Sequence, residues 1–146
     1  MKVPMKEHDR RDSGFTLLEI LVVLAILALL VGLVAPAALR QLGGARNSVA
    51  KQSIARLETV LDMYKLDVGS YPSSEDGLDA LLHKPGDAEN WNGPYVKGNQ
   101  VPRDPWNHEY GYQAPSTREG HDYDLCSGGA NHVQAVPGAS GAICNP

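Results

Sequence analysis

Gly14, Phe15 and Glu19 stand out for their position more than for their residue types. In the stretch DRRDSGFTLLEILVVLAILALLVGLVAPAAL, Asp9 to Leu39, a charged head ends at Gly14 and an almost wholly apolar run begins at Phe15. Glu19 lies five residues into that run with no Lys or Arg beside it. A carboxylate at mid-bilayer costs roughly 2.5–3.5 kcal/mol, less near the interface. A lipid-facing segment therefore keeps one either because it rests among headgroups or because it answers a cation. Cys126 and Cys144 form the second candidate pair, an even count far down a loop-rich region, which suggests a disulfide; two buried free thiols are the alternative. Other groupings are weaker. His108, His121, Asp122 and Asp124 hold no histidine pair at helical i,i+4 spacing and read as solvated side chains, not a metal cluster. Cys126-Ser127-Gly128-Gly129 resembles a nucleophile loop but has no convincing base, so catalysis is not expected.

The elements that would position these residues can be read next. Ile20 to Leu39 contains no charged residue, and at 1.5 Å per residue it spans about 30 Å, the thickness of a bilayer's hydrocarbon core. It admits three readings: a signal cleaved after the span, near APAAL at Ala35; a plain single-span anchor; or a segment cleaved before the span and retained. Only the third accounts for Gly14 and Glu19 together. Beyond Pro36, which is expected to kink the helix, and Gly43-Gly44, which is expected to loosen it, apolar or small residues recur at Val49, Ser53, Leu57, Val60, Leu61, Tyr64 and Val68. These steps of three and four predict an amphipathic continuation over 40–68, stopped by Gly69 and Pro72.

From Gly69 to Pro146 the texture changes, with eleven Gly and eight Pro punctuating short segments. SEDGLDALL, from Ser74, predicts a short helix resting on Leu78, Leu81 and Leu82. Period-two patterns predict strands at Tyr110–Gln113 and His121–Cys126, with a weaker one ending near Cys144 and a turn at Gly120. Trp91, Tyr95, Trp106, Tyr110 and Tyr112 read as an aromatic minicore pinning the long loop. The expected fold class is α+β, a long N-terminal helix packed on a small antiparallel sheet in one C-terminal domain, 69–146.

Charge limits the partners. The net charge is −4 and no basic cluster follows the first dozen residues, which argues against nucleic acid. Lys2, Lys6, Arg10 and Arg11 before the span are balanced by Arg40, Arg46, Lys51 and Arg56 after it, so charge alone does not orient it. A disulfide needs an oxidising compartment, which places the C-terminal domain outside the cytoplasm. No phosphate-binding loop is present.

GFTLLEILVVLAIL resembles the class III signal of type IV pilins and of type II secretion pseudopilins. The resemblance implies that residues 1–14 are a leader removed by a prepilin peptidase, that Phe15 becomes an N-methylated amino terminus, and that 15–39 is the membrane-spanning, filament-core helix. LDMYKLDVGSYPSSEDGLDALLHKP, GPYV, PRDPWNHEYGY and YDLCSGG are similar to the major pseudopilins of type II secretion over Gly14 to about Gly129. The implied function is structural: a homopolymer forming a periplasmic pseudopilus anchored as a single-pass inner-membrane protein, supporting export of folded proteins. Implied partners are minor pseudopilins, an inner-membrane assembly platform and an outer-membrane secretin channel. A type IV pilin for adhesion or motility, or a membrane-tethered enzyme or binding module, would be the alternatives.

Two consequences follow from that resemblance. Once Phe15 is a free ammonium at a helix start, Glu19 stands four residues on along the same face, and the Phe15 of a neighbouring subunit becomes its natural partner. The family also commonly holds calcium in a Gly-rich stretch after Ser127, using Asp side chains. Here no Asp or Glu follows Asp124, a poor donor set for a cation that takes six to eight oxygens. No metal or other cofactor is therefore expected, and the Cys126–Cys144 bridge is expected to do the metal's work.

Overall fold

The computed structural model describes residues 14–146. It contains one helix, α1 (Leu17–Val68), a 3-10 turn over Gly77–Leu81, and three strands, β1 (Gly111–Gln113), β2 (Asp124–Ser127) and β3 (Ile143–Cys144). The chain divides into two compact units, Met1–Arg40 and Gln41–Pro146. The expected leader, except for Gly14, lies outside the described residues.

In the first unit, every described residue of the apolar run is exposed, including Phe15, Leu17, Leu29 and Leu33 at 75% or more. Pro36 sits inside α1, and α1 runs on through Gly43 and Gly44, so the expected loosening there does not interrupt the helix.

In the second unit, the apolar stripe of α1 packs on the C-terminal residues. The buried positions are Ala50, Ile54, Leu57, Leu61 and Tyr64. The expected stripe was one residue out of phase at its start: Val49 is half exposed and Ser53 partly so, while Ala50 and Ile54 are buried. Both rows have helical spacing, so the period alone does not fix which of them faces the core. The helix stops where expected. Gly69 adopts φ +96 and its N–H donates to the Lys65 carbonyl at 2.7 Å, a left-handed C-terminal cap that a side chain would strain.

The segment after α1 forms a 3-10 turn instead of a regular helix, and it buries Leu78, Leu81 and Leu82 as expected. The sheet is antiparallel in the order β1-β2-β3, with Tyr112 paired to Leu125 and Cys126 to Cys144. The middle strand begins at Asp124, not His121. Upstream, the Ser116 N–H donates to the Asp122 carbonyl within the loop that joins β1 to β2, and residues 121–123 are irregular. All four residues of β2 are buried, so the strand carries no alternation that sequence could have shown. Gly111 lies against the Ala135 carbonyl, where an added Cβ would collide, and this close approach lets the 128–142 loop lie over β1.

The aromatic cluster differs from expectation in one member. Trp91, Tyr95, Tyr110 and Tyr112 join the core or pack on it, but Trp106 is partly exposed and outside it. Tyr64, Tyr71 and Tyr123 supply the missing contacts: Tyr64 meets Tyr95 edge-on at 5.6 Å, and Tyr71 meets Tyr123 at 4.6 Å.

Candidate functional site

The chemistry-bearing residues fall into two separate places. The first is the start of α1. Gly14 has open space around it: a Cβ there would meet nothing within 4 Å, and its φ is not in the left-handed region. The fold of the chain therefore does not require glycine at this position. Phe15 is 78% exposed, so this aromatic ring serves no packing role within the chain. Thr16 caps the helix, its Oγ1 accepting the Glu19 N–H at 3.2 Å. The Thr16-x-x-Glu19 spacing is that of a capping box, a signal the sequence reading did not use. Glu19 lies in the first turn of α1, where a carboxylate is favoured by the positive end of the helix. It is the sole charge from Phe15 to Leu39, and no salt bridge to it is formed among the described residues.

The second place is the tail. Cys126 and Cys144 form a disulfide across β2 and β3, closing a separation of 18 residues, and Cys126 is fully buried. Beside it lies a polar latch that sequence reading did not find. Arg118 donates from Nε to Asp124 Oδ1 at 2.7 Å, from Nη1 to the Asn145 carbonyl at 2.9 Å and from Nη2 to Asn145 Oδ1 at 2.6 Å. Asn145 is buried; its Nδ2 donates to the Tyr123 carbonyl and its Oδ1 accepts the Leu125 N–H. The tail end is thus held by one covalent and several hydrogen-bonded ties.

Asp124 is not the solvated side chain the sequence suggested. It is 2% exposed. Burial opposes its charge, but hydrogen bonds from Ser116, Arg118 and Thr117 outweigh that and hold the carboxyl well below the usual range. Asp104 is also buried, accepting the Ser127 hydroxyl at 2.6 Å and the Trp106 and His108 N–H groups. His121 bonds only backbone carbonyls of Glu119 and Pro146, and Asp122 pairs with Lys65 at the surface. The four residues weighed as a metal cluster are not brought together, and no group of three or more His, Cys, Asp or Glu side chains converges among the described residues. The Ser127 hydroxyl donates to buried Asp104 and accepts the Gly129 N–H, with no histidine bonded to it among the described residues.

Both buried carboxylates near the tail are thus already engaged. Besides the His132 imidazole, the 128–142 loop offers carbonyls, hydroxyls and amide side chains and no carboxylate, whereas a hard cation such as calcium takes oxygen ligands that usually include carboxylates.

Comparison with known proteins agrees with this architecture. Residues 37–146 match the family described as Type II secretion system (T2SS), protein G, and residues 9–35 match the prokaryotic N-terminal methylation motif. Type II secretion system core protein G of Pseudomonas aeruginosa is 44% identical over 84% of this chain and 86% of its own. That of Vibrio cholerae is 38% identical over 93% and 92%. The crystal structure of the major pseudopilin from the type 2 secretion system of enterohaemorrhagic Escherichia coli superposes with a TM-score of 0.61 at 31% identity. The match covers 73% of this chain and 91% of that one. A methylation motif on an exposed apolar helix, followed by this helix-and-sheet unit, places the chain in the type II secretion system protein G family, the major pseudopilins: it is a structural subunit of a pseudopilus, not an enzyme.

Proposed function

We propose that the chain is cleaved between Gly14 and Phe15 by a prepilin peptidase, N-methylated on Phe15, and polymerised through contact between each Phe15 ammonium and Glu19 of a neighbouring copy. The observation that carries this reading is that every described residue from Gly14 to Val49 is exposed, while Glu19 is the sole charged side chain between Gly14 and Arg40. Lipid covers such a surface in the membrane. When subunits leave lipid, only other subunits can cover it, and an unpaired carboxylate in that dry interior would be strongly disfavoured. Cleavage creates the compensating cation at the right end of the helix.

The contact is head to tail. One copy's terminus meets the next copy's carboxylate, and a heterologous contact repeated with rotation and rise builds a helical filament. The span, long and apolar enough to cross a membrane, anchors the unpolymerised subunit in the inner membrane with residues 41–146 in the periplasm, where the Cys126–Cys144 bridge is stable. Minor pseudopilins at the filament tip, an assembly platform with its cytoplasmic ATPase and an outer-membrane secretin complete the machine. The disulfide and the Arg118 latch hold the tail in place of calcium.

The reading is tested by overexpressing the chain with its assembly machinery, isolating filaments and measuring intact subunit mass. The expected subunit begins at Phe15 and carries one added methyl group. Filaments built from chains that retain Met1–Gly14 would overturn it.

A further inference from the structure

His108 and His132, 24 residues apart in sequence, face each other on the surface of the second unit. Their Nδ1 atoms are 3.0 Å apart, and their ring centroids lie 4.0 Å apart with the planes at 80°. Both rings hang from backbone fixed by a single buried pair, Ser127 and Asp104. On one side, Asp104 Oδ1 accepts the His108 N–H at 2.8 Å, and the Asp104 N–H donates to the His108 carbonyl at 2.9 Å. On the other, the Ser127 hydroxyl accepts the Gly129 N–H at 3.1 Å, and the Gly129 carbonyl accepts the His132 N–H at 3.3 Å. His132 holds φ 53, a left-handed conformation that the loop maintains.

A hydrogen bond between two exposed imidazoles contributes little, because water competes for both nitrogens. The same two nitrogens are, however, well placed as ligands. We propose that His108 and His132 form a two-imidazole site for a divalent first-row transition cation of the Zn2+ class. Zn–N bonds of about 2.0–2.1 Å in tetrahedral geometry put adjacent ligand nitrogens about 3.3–3.4 Å apart. The observed 3.0 Å opens by about 0.3–0.4 Å, and the rings, now 4.0 Å between centroids, swing outward so that both Nδ1 lone pairs meet the cation. Asp104 Oδ1 lies 3.8 Å from His108 Nδ1 and supplies negative charge behind the site, while remaining committed to its backbone donors. The His108 side chain is 45% exposed and His132 is exposed, so water fills the remaining positions. Imidazole donors select zinc-like cations over calcium, which takes oxygen. Bound there, the cation ties the 128–142 loop to the 104–108 turn.

The test is calorimetric titration of the untagged, detergent-solubilised full chain, stripped of metal, with Zn2+ and separately with Ca2+. One Zn2+ per chain is expected, with a melting temperature that rises on saturation. His108→Ala and His132→Asn, the latter chosen because Asn tolerates the left-handed backbone, should each weaken Zn2+ binding about tenfold or more and abolish the melting shift. His83→Ala, which breaks the exposed His83–Asp79 pair, should leave both unchanged. Far-UV circular dichroism and an intact disulfide confirm that each variant is folded. Zn2+ binding that survives both variants, absence of Zn2+ binding in the native chain, or a Ca2+ response equal to that of Zn2+ would each overturn the proposal.

Discussion

Reduction of the Cys126–Cys144 bridge is the most informative perturbation of the second unit, because it separates two ways of holding the tail. The bridge spans 18 residues, and the chain-entropy treatment assigns a loop of that size about 3 kcal/mol of stability. For a domain of about 100 residues, 1 kcal/mol moves the melting temperature by about 4–8 °C. Loss of the bridge should therefore lower it by about 12–24 °C. The fragment from Ala45 to Pro146 retains every buried apolar residue, since these begin at Ala50, and is suited to thermal and urea unfolding. Because Cys126 is fully buried, reductant will act slowly, and Cys144→Ser should give the same loss without that delay. The Arg118–Asn145 latch survives reduction, so proteolysis should begin within 131–142 and not at the last residues. Adding Ca2+ to the native fragment should change its melting temperature by less than the measurement error. A large Ca2+ stabilisation with no effect of reductant would refute the view that the disulfide does the metal's work.

Gly14→Val should leave the leader attached, because the substitution has room in the chain itself and can be opposed only by the peptidase; intact mass of the membrane protein checks this, and normal trimming would contradict it. Asp124 has its pKa depressed in the folded state, so its stabilising contribution is complete above the ordinary carboxylate value of about 3.9 and is lost as pH falls below it. Urea midpoints between pH 7 and pH 2.5 should show that acid loss in the native fragment and a shallower slope in Asp124→Asn. Arg118→Ala leaves that carboxylate buried without its cation and should cost roughly 3 kcal/mol at pH 7, measured by the same unfolding curves.

The parts of the molecule that were legible in sequence share a physical property: their signal is local. The span declares itself by an uninterrupted apolar run, the helix stop by Gly69, and the burial of Leu78, Leu81 and Leu82 by their spacing, although the segment is a 3-10 turn and not the short helix expected. The bridge could be proposed because two cysteines admit only one pairing. Most of what was missed depends on partners distant in the chain. Arg118 and Asn145 are 27 residues apart, each a single polar residue in a turn-rich stretch, and no spacing rule links them. Asp124 read as solvent-exposed because the alternation HDYD suggests a half-exposed strand, whereas β2 is the central strand and wholly buried. Trp106, expected in the minicore, lies outside the core, and Tyr123, which was not expected there, is part of it. Which aromatic reaches the core depends on how the 82–110 loop folds back, and that is not encoded in any periodicity. At the start of α1, sequence identified Glu19 as anomalous but did not see that Thr16 caps the same turn.

Filament yield from Glu19→Val tests most directly the proposed pairing of Glu19 with a neighbour's Phe15 terminus. Valine removes a polar burden from the span, so membrane fractionation should recover at least as much inserted protein as in the wild type. With no carboxylate to meet the Phe15 ammonium, electron microscopy of cells expressing the variant alone should show few or no filaments. Normal insertion with strongly reduced filament counts is the predicted result; normal insertion with undiminished filaments would contradict the account.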